Sequence, residues 1–282
     1  MEKFGLVRER LVAEGEIEDA QVVEPAPATR DELLLVHTPD YLDDLARLRW
    51  TPRTMWSELP LSEGIVQAYV LAAGGTVRAA HDALASGVGV NLGGGFHHAF
   101  PDRAEGFCYI NDLAVAIRAL QRQGRIQRAA VVDCDVHQGN GTACVFAGDP
   151  DVFTLSIHQE ANYPLPKERS DLDIGLPNQM GDAEYHQCLA RGLEAVWDFA
   201  PDLVLYQAGA DPYADDLLGG LALSLEGLEQ RDRMVLEGCY ERQIPAVVTL
   251  GGGYARRLED TVRIHFHTCR MGVRLARLSR RP

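Results

Sequence analysis

An α/β fold, organised as one domain over residues 1–282 around a mainly parallel sheet, is what the sequence predicts. Three observations carry that expectation. Short β-branched, apolar runs alternate along the chain with longer stretches of helical character. Runs such as Ala129–Val132 and Ala246–Leu250 are nearly continuously apolar, the pattern of strands covered by helices on both faces. Strand after strand then ends in polar or glycine-rich residues that packing alone does not demand. In an open α/β sheet those carboxyl ends face the crevice where ligands bind.

In order, a charged helical piece leads into the proline-punctuated connection Val22-Val-Glu-Pro-Ala-Pro-Ala-Thr-Arg. Leu33-Leu-Leu-Val36 reads as a short strand, and His37-Thr-Pro-Asp-Tyr41 as a turn into a helix with Asp40 at its N-cap. His37 is given a structural role. Residues 49–63 read as a surface loop. Gly64–Ser86 reads as a long helix whose small-residue face, Ala72-Ala-Gly-Gly-Thr76, suits close packing on a sheet. No strand leads into those glycines and no G-K-[ST] follows, so they are not a phosphate loop.

A strand at Gly87–Leu92 delivers Gly93-Gly-Gly-Phe-His-His98, and a loop over 99–110 carries Gly106-Phe-Cys-Tyr109. Asn111 caps a helix running to about Gly124. The strand 129–133 and the strand 152–157 follow, then an irregular stretch over 159–181, long enough to be functional. After a helix over 182–200, the strand 203–207 ends in Ala208-Gly-Ala-Asp211. Ser224 caps a helix to about Arg242, and the strand 246–250 ends in Gly251-Gly-Gly-Tyr254. A basic helix closes the chain, with His265 and His267 expected on its surface.

Composition narrows the function. Hydrophobic residues at 46% and charged residues at 24% are ordinary for a globular protein. No apolar run approaches the roughly 20 residues of a membrane span, and the mixed-charge N-terminus lacks the apolar core of a signal peptide. A cytoplasmic location is the expectation. Six scattered cysteines without a C-x-x-C pair point to free thiols. The net charge of −14 argues against nucleic-acid binding and suits cationic substrates.

The chemistry gathers around Ala129-Ala-Val-Val-Asp-Cys-Asp-Val-His-Gln-Gly-Asn-Gly141. Asp135 and His137, two apart at a strand end, project to one side. Asp211 arrives from a later strand, and the three make a metal site with an open position, as catalytic zinc requires; iron(II) suits such ligands too. His97 and His98 stand ready to move protons between a metal-activated water and a leaving amine. Each needs a partner to fix its tautomer, and Asp133 and Asn140 are the candidates. A carboxylate behind one histidine and an amide behind the other set their basicities apart. Tyr254 offers a hydroxyl to the developing oxyanion. Phe107, beside Gly106, either walls a narrow tunnel or packs in the core; Gly106, Phe107 and Gly252 are the candidate substrate-binding residues.

These motifs, in register from about residue 33 to the end, resemble the zinc-dependent histone deacetylase family. The run Gln138-Gly-Asn-Gly141 and the compact length look like its class IV or bacterial class IV-like branch. The resemblance implies an arginase/deacetylase-like three-layer sandwich with a sheet of about eight strands. It implies zinc on Asp135, His137 and Asp211, His97 and His98 as the general base and acid pair, and Tyr254 polarising the acyl carbonyl. It implies a structural potassium ion at Asp133 and Ser156 with main-chain groups near His137. Three departures from the family stand out: Asn140 stands where its better-known members carry a carboxylate, making the second dyad His-Asn; Asp216-Leu-Leu-Gly219 stands where many have Asp-Arg-Leu-Gly; and Tyr163 stands where a phenylalanine pair is usual, which bears on the tunnel rim and acyl-chain preference.

The resulting expectation is hydrolysis of an acyl-lysine amide, acetyl or longer, on a protein or peptide. The alternative is an acetylated polyamine or another small acylated amine. A binuclear arginase-like hydrolase needs further carboxylates where this chain has Gly139 and Tyr213. A non-catalytic acyl-lysine-binding module has no need of Tyr254 and a full ligand set.

Overall fold

The computed structural model describes residues 2–279. Among them, six strands form one sheet: β1 (Val88–Asn91), β2 (Ala129–Asp133), β3 (Val152–Gln159), β4 (Leu172–Leu176), β5 (Leu203–Gln207) and β6 (Ala246–Thr249). The spatial order is β1-β6-β5-β2-β3-β4, and every neighbouring pair is parallel. Six strands rather than about eight make up this sheet, but its class is the predicted one.

Side chains along β2 alternate between two cores. Ala129 and Val131 join one apolar cluster, Ala130 and Val132 the other, and all four are buried. β5 repeats the pattern, Leu203 and Leu205 on one side, Val204 and Tyr206 on the other. Each fully buried valine or leucine contributes about 1.5–3 kcal/mol, which is why both faces demand helices. One face is covered by α2 (Arg30–Leu33), α3 (Pro39–Ala46), α4 (Glu63–Ser86) and α5 (Asp112–Arg122). The other carries α1 (Glu2–Ala13), α7 (Asp182–Phe199), α8 (Leu225–Glu241) and α9 (Leu258–Ser279), while the short α6 (Asn140–Phe146) follows the β2 end. No helix among the described residues is long and apolar enough to cross a membrane.

Local signals account for the helix starts. Asn111 accepts from the Ala114 N–H, and Ser224 from the Gly227 N–H, each satisfying a backbone donor that the first turn leaves open. At α3 the N-cap position is Thr38, with Pro39 in the first turn, rather than Asp40.

Further expectations are corrected. Leu33-Leu-Leu-Val36 is not a strand: Thr29 and Glu32 form a reciprocal capping box that starts α2, and the apolar run falls in its end and the following turn. The irregular stretch over 159–181 contains β4, an edge strand whose residues alternate in exposure. His265 is buried, not on the surface, because α9 turns Val262, His265, Phe266 and Cys269 inward at three- and four-residue spacing. His267, on the next face, is mostly covered and bonds Glu229 at 3.0 Å. His37 is buried as a bridge, one ring nitrogen 3.0 Å from the Phe100 carbonyl and the other accepting from the Asn111 N–H.

Candidate active site

Four strand ends deliver the site to one cavity of about 270 Å³. β1 runs into the glycine turn before His97 and His98. There Gly95 takes a φ of 109°, and a side chain at that position would collide with Gly251. Asp112, at the start of α5, fixes this turn by accepting the Gly95 and Phe96 N–H groups at 3.0 and 2.7 Å.

Asp135 and His137 lie just beyond the end of β2, in a bent segment. Their convergence therefore comes from a turn rather than from strand alternation. His137 Nδ1 is 3.1 Å from Asp135 Oδ1 and 3.4 Å from Asp211 Oδ2. Donor atoms of Asp135, His137 and Asp211 all lie within 4.8 Å of one another. Backbone donors orient the carboxylates: Val136 N–H to Asp211 Oδ1 at 2.8 Å, Gly252 N–H to Asp135 Oδ2 at 3.0 Å. A side chain at Gly252 would run into Asp211 Oδ2.

This donor set fits a divalent cation. Asp211 Oδ2 is buried and has no hydrogen-bond partner, an arrangement that costs free energy unless a cation meets it. Burial and the neighbouring Asp135 charge raise the Asp211 pKa. His137 is pushed up to about 10, because Asp135 and Asp211 outweigh the burial that opposes its charge. Two carboxylates and an imidazole around an open position are a zinc- or iron-type set.

The two histidines have the partners their sequence context suggested, Asp133 Oδ2 at 2.6 Å from His97 Nδ1 and Asn140 Oδ1 at 2.7 Å from His98 Nδ1. Their pKa values move apart. Burial opposes the charge on His97, but Asp133 and Asp135 overcome it and lift the ring to about 9. Burial pushes His98 well below its ordinary value, and the His97 and His137 rings push the same way. Asp133 also accepts the Asp135 N–H, and it lies in register with Ser156 of β3, whose hydroxyl is 2.9 Å from His158 Nδ1.

Phe107 and Tyr254 face one another across the cavity with ring centroids 6.2 Å apart. Phe107 has a φ of 61°, a conformation that costs a bulky residue about 1–3 kcal/mol and persists only where surroundings hold it. Its N–H donates to Ser57 O at 3.0 Å and its carbonyl accepts from the Tyr69 hydroxyl. Gly106, Gly252 and Tyr163 line the same cavity. The Tyr254 N–H donates to Asp216 Oδ2 at 2.7 Å, and burial raises its phenol pKa, keeping the hydroxyl protonated.

Like Asp112, two further supporting residues escaped sequence reading. Lys3 Nζ reaches the Gly251 carbonyl at 2.8 Å from α1. Arg231, fully buried in α8, pairs with Asp232 at 2.8 Å and donates to the carbonyls of Gly209 and Cys134, beside the metal-ligand segments. Asp232 also accepts from the hydroxyls of Tyr206 and Thr268. Neither residue sits in a local motif; the pairing of two charges within one apolar-faced helix, Arg231-Asp232, was the one available signal.

A parallel α/β sheet with carboxylates, histidines and a tyrosine beyond its strand ends defines a hydrolase-type site. The family described as Histone deacetylase domain matches residues 1–269. The chain is 45% identical over 267 residues to an uncharacterized protein of Picosynechococcus sp., covering 94% of this chain and 89% of that one. It is 34% identical to Histone deacetylase 2 of Arabidopsis thaliana, covering 92% and 71%. It is 32% identical to the acetoin utilization protein AcuC of Bacillus subtilis, covering 84% and 67%. A crystal structure of an HDAC homolog from Aquifex aeolicus superposes with a TM-score of 0.84 at 32% identity, over 95% of this chain and 77% of that one. An HDAC homolog complexed with SAHA superposes equally well. The chain belongs to the histone deacetylase family, and its enzyme class is that of the deacetylase-type hydrolases.

Proposed function

We propose that this chain is a zinc-dependent amide hydrolase that removes an acyl group, acetyl or longer, from lysine-like substrates. The observation that carries this reading is the meeting, in one cavity, of three metal-type donors with two histidines, one backed by a carboxylate and the other by an amide. Asp135, His137 and Asp211 would hold the ion. Zinc, when bound, supplies Lewis acidity toward the scissile carbonyl.

The chain's own groups do the rest. His98 is neutral, its Nδ1 engaged by Asn140, so Nε2 takes a proton from the attacking water and returns it to the leaving amine nitrogen. His97, its Nδ1 backed by Asp133, is held toward the cationic form by that carboxylate and offsets the negative charge of the transition state. The Tyr254 hydroxyl donates to the carbonyl oxygen as it becomes an oxyanion, a contribution of about 3–4 kcal/mol. Gly106, Phe107, Tyr163 and Gly252 shape the passage for the acyl-bearing side chain. Asp133 and Ser156, adjacent in register, would hold a structural potassium ion together with main-chain groups near His137.

A second reading, deacylation of a polyamine or another small amine, is favoured by the net charge of −14 and by Glu58 on the cavity lining. A panel of acyl-lysine peptides and acylpolyamines of graded chain length, given to zinc-loaded protein, tests both. The expected result is turnover of acyl-lysine amides, blocked by hydroxamates. Turnover confined to polyamines would move the substrate class. Activity that requires two manganese ions per chain would overturn the reading.

A further inference from the structure

The partner of His98 has a partner of its own. Asn140 Nδ2 donates to Glu105 Oε1 at 2.6 Å, and the Tyr163 hydroxyl donates to the same oxygen at 3.0 Å. Tyr163 stands edge-on to His98, ring centroids 5.0 Å apart. Arg103 Nε donates to the other oxygen, Oε2, at 3.2 Å. Glu105 thus receives three hydrogen bonds, directly before Gly106 of the tunnel wall.

A carboxylate held this way accepts hydrogen bonds and donates none. Glu105 therefore obliges Asn140 to turn its NH₂ group outward. Asn140 Oδ1 then faces His98, His98 Nδ1 carries the hydrogen, and Nε2 keeps its lone pair. The amide alone imposes no such direction, since half a turn exchanges its oxygen and nitrogen. In the exchanged arrangement His98 Nδ1 accepts, the hydrogen moves to Nε2, and that nitrogen cannot take a proton. An aspartate behind a histidine needs no such help, being an acceptor in every orientation; an asparagine does.

We infer that Glu105 is a positioning residue that sets the direction of the Glu105–Asn140–His98 hydrogen-bond chain and so keeps His98 in the tautomer with a free Nε2. The inference rests on the base role proposed above for His98. Its primary readout is the tautomer itself, which can fail while amide hydrolysis stands.

Nitrogen-15 spectra of the zinc-loaded, histidine-labelled full chain test it. Wild type should show the Nδ1–H, bare-Nε2 signature for His98, and Glu105→Ala a mixture of both tautomers. The same variant should lose about 10- to 100-fold in kcat, and should cost less than about twofold more in an Asn140→Ala background, because residues acting through one another are non-additive. Glu105→Gln, which keeps an acceptor oxygen at that place, should restore the His98 signature. Glu105→Ser substitutes if the alanine variant does not fold. An unchanged His98 spectrum in Glu105→Ala or Glu105→Ser would overturn the inference. So would a kcat loss that is as large without Asn140 as with it, or a failure of Glu105→Gln to restore the signature.

Discussion

Lys3 Nζ donates to the Gly251 carbonyl at 2.8 Å across 248 residues, so the first helix supports the turn that presents Tyr254. Burial pulls the Lys3 pKa from 10.5 down to about 8, against the opposing charges of Asp211, Asp135 and Asp216. Between those values the unfolded chain binds more protons than the folded one, so this residue makes the metal-free chain more stable as pH rises. Wild type should gain stability over Lys3→Met across that window. Melting curves of both metal-stripped proteins at a series of pH values check it, and parallel curves would dismiss the titration of Lys3.

Tyr254→Phe removes the hydroxyl and leaves the ring facing Phe107. Turnover should fall roughly 10²- to 10³-fold, with zinc content unchanged. Steady-state kinetics beside metal analysis separate this outcome from a lost metal; undiminished turnover would refute the oxyanion role.

Asp211→Asn keeps an acceptor for the Val136 N–H while removing one of two facing buried carboxylates. Without metal, the variant should melt above wild type, because the burial of that charge and its repulsion by Asp135, which raise the Asp211 pKa, are gone. With zinc the order should reverse, since a tight site at a thousandfold excess over its Kd adds about 4 kcal/mol. Thermal melts with and without one equivalent of zinc decide it. No reversal would mean that Asp211 is not a ligand.

Arg231→Met strands the Asp232 carboxylate in the core, retaining only the Tyr206 and Thr268 hydroxyls. Breaking a buried pair from one side costs about 3–5 kcal/mol. Urea unfolding should show that loss, and Arg231→Met with Asp232→Asn should recover part of it. A double variant no more stable than the single one would mean that the stranded charge is not the cause.

Legibility tracked the range of the interaction. The strands β2, β5 and β6 and the caps Asn111 and Ser224 were readable because apolar runs and capping residues act within a few positions. Asp135, His137, Asp211, His97 and His98 could be placed at one crevice because each follows a strand whose end the α/β class aims there, but the turns that bring them together carried no local signal. Leu33–Val36 misled because four apolar residues carry no period, and the capping box before them decided the matter. β4 hid because an edge strand alternates and carries charge. His265 was misplaced because arginines on one face of α9 concealed the apolar face behind them. Lys3 and Arg231 act across distances that no local pattern records, and the strand count depends on which extended segments find partners, a property of the whole sheet.

The contact between α1 and Gly251 also bears on where the chain tolerates trimming. Lys3 and its acceptor stand 248 residues apart, and α1 packs against α9. A chain stripped of α1 would carry every candidate ligand and still lack the hydrogen bond beneath the turn that presents Tyr254.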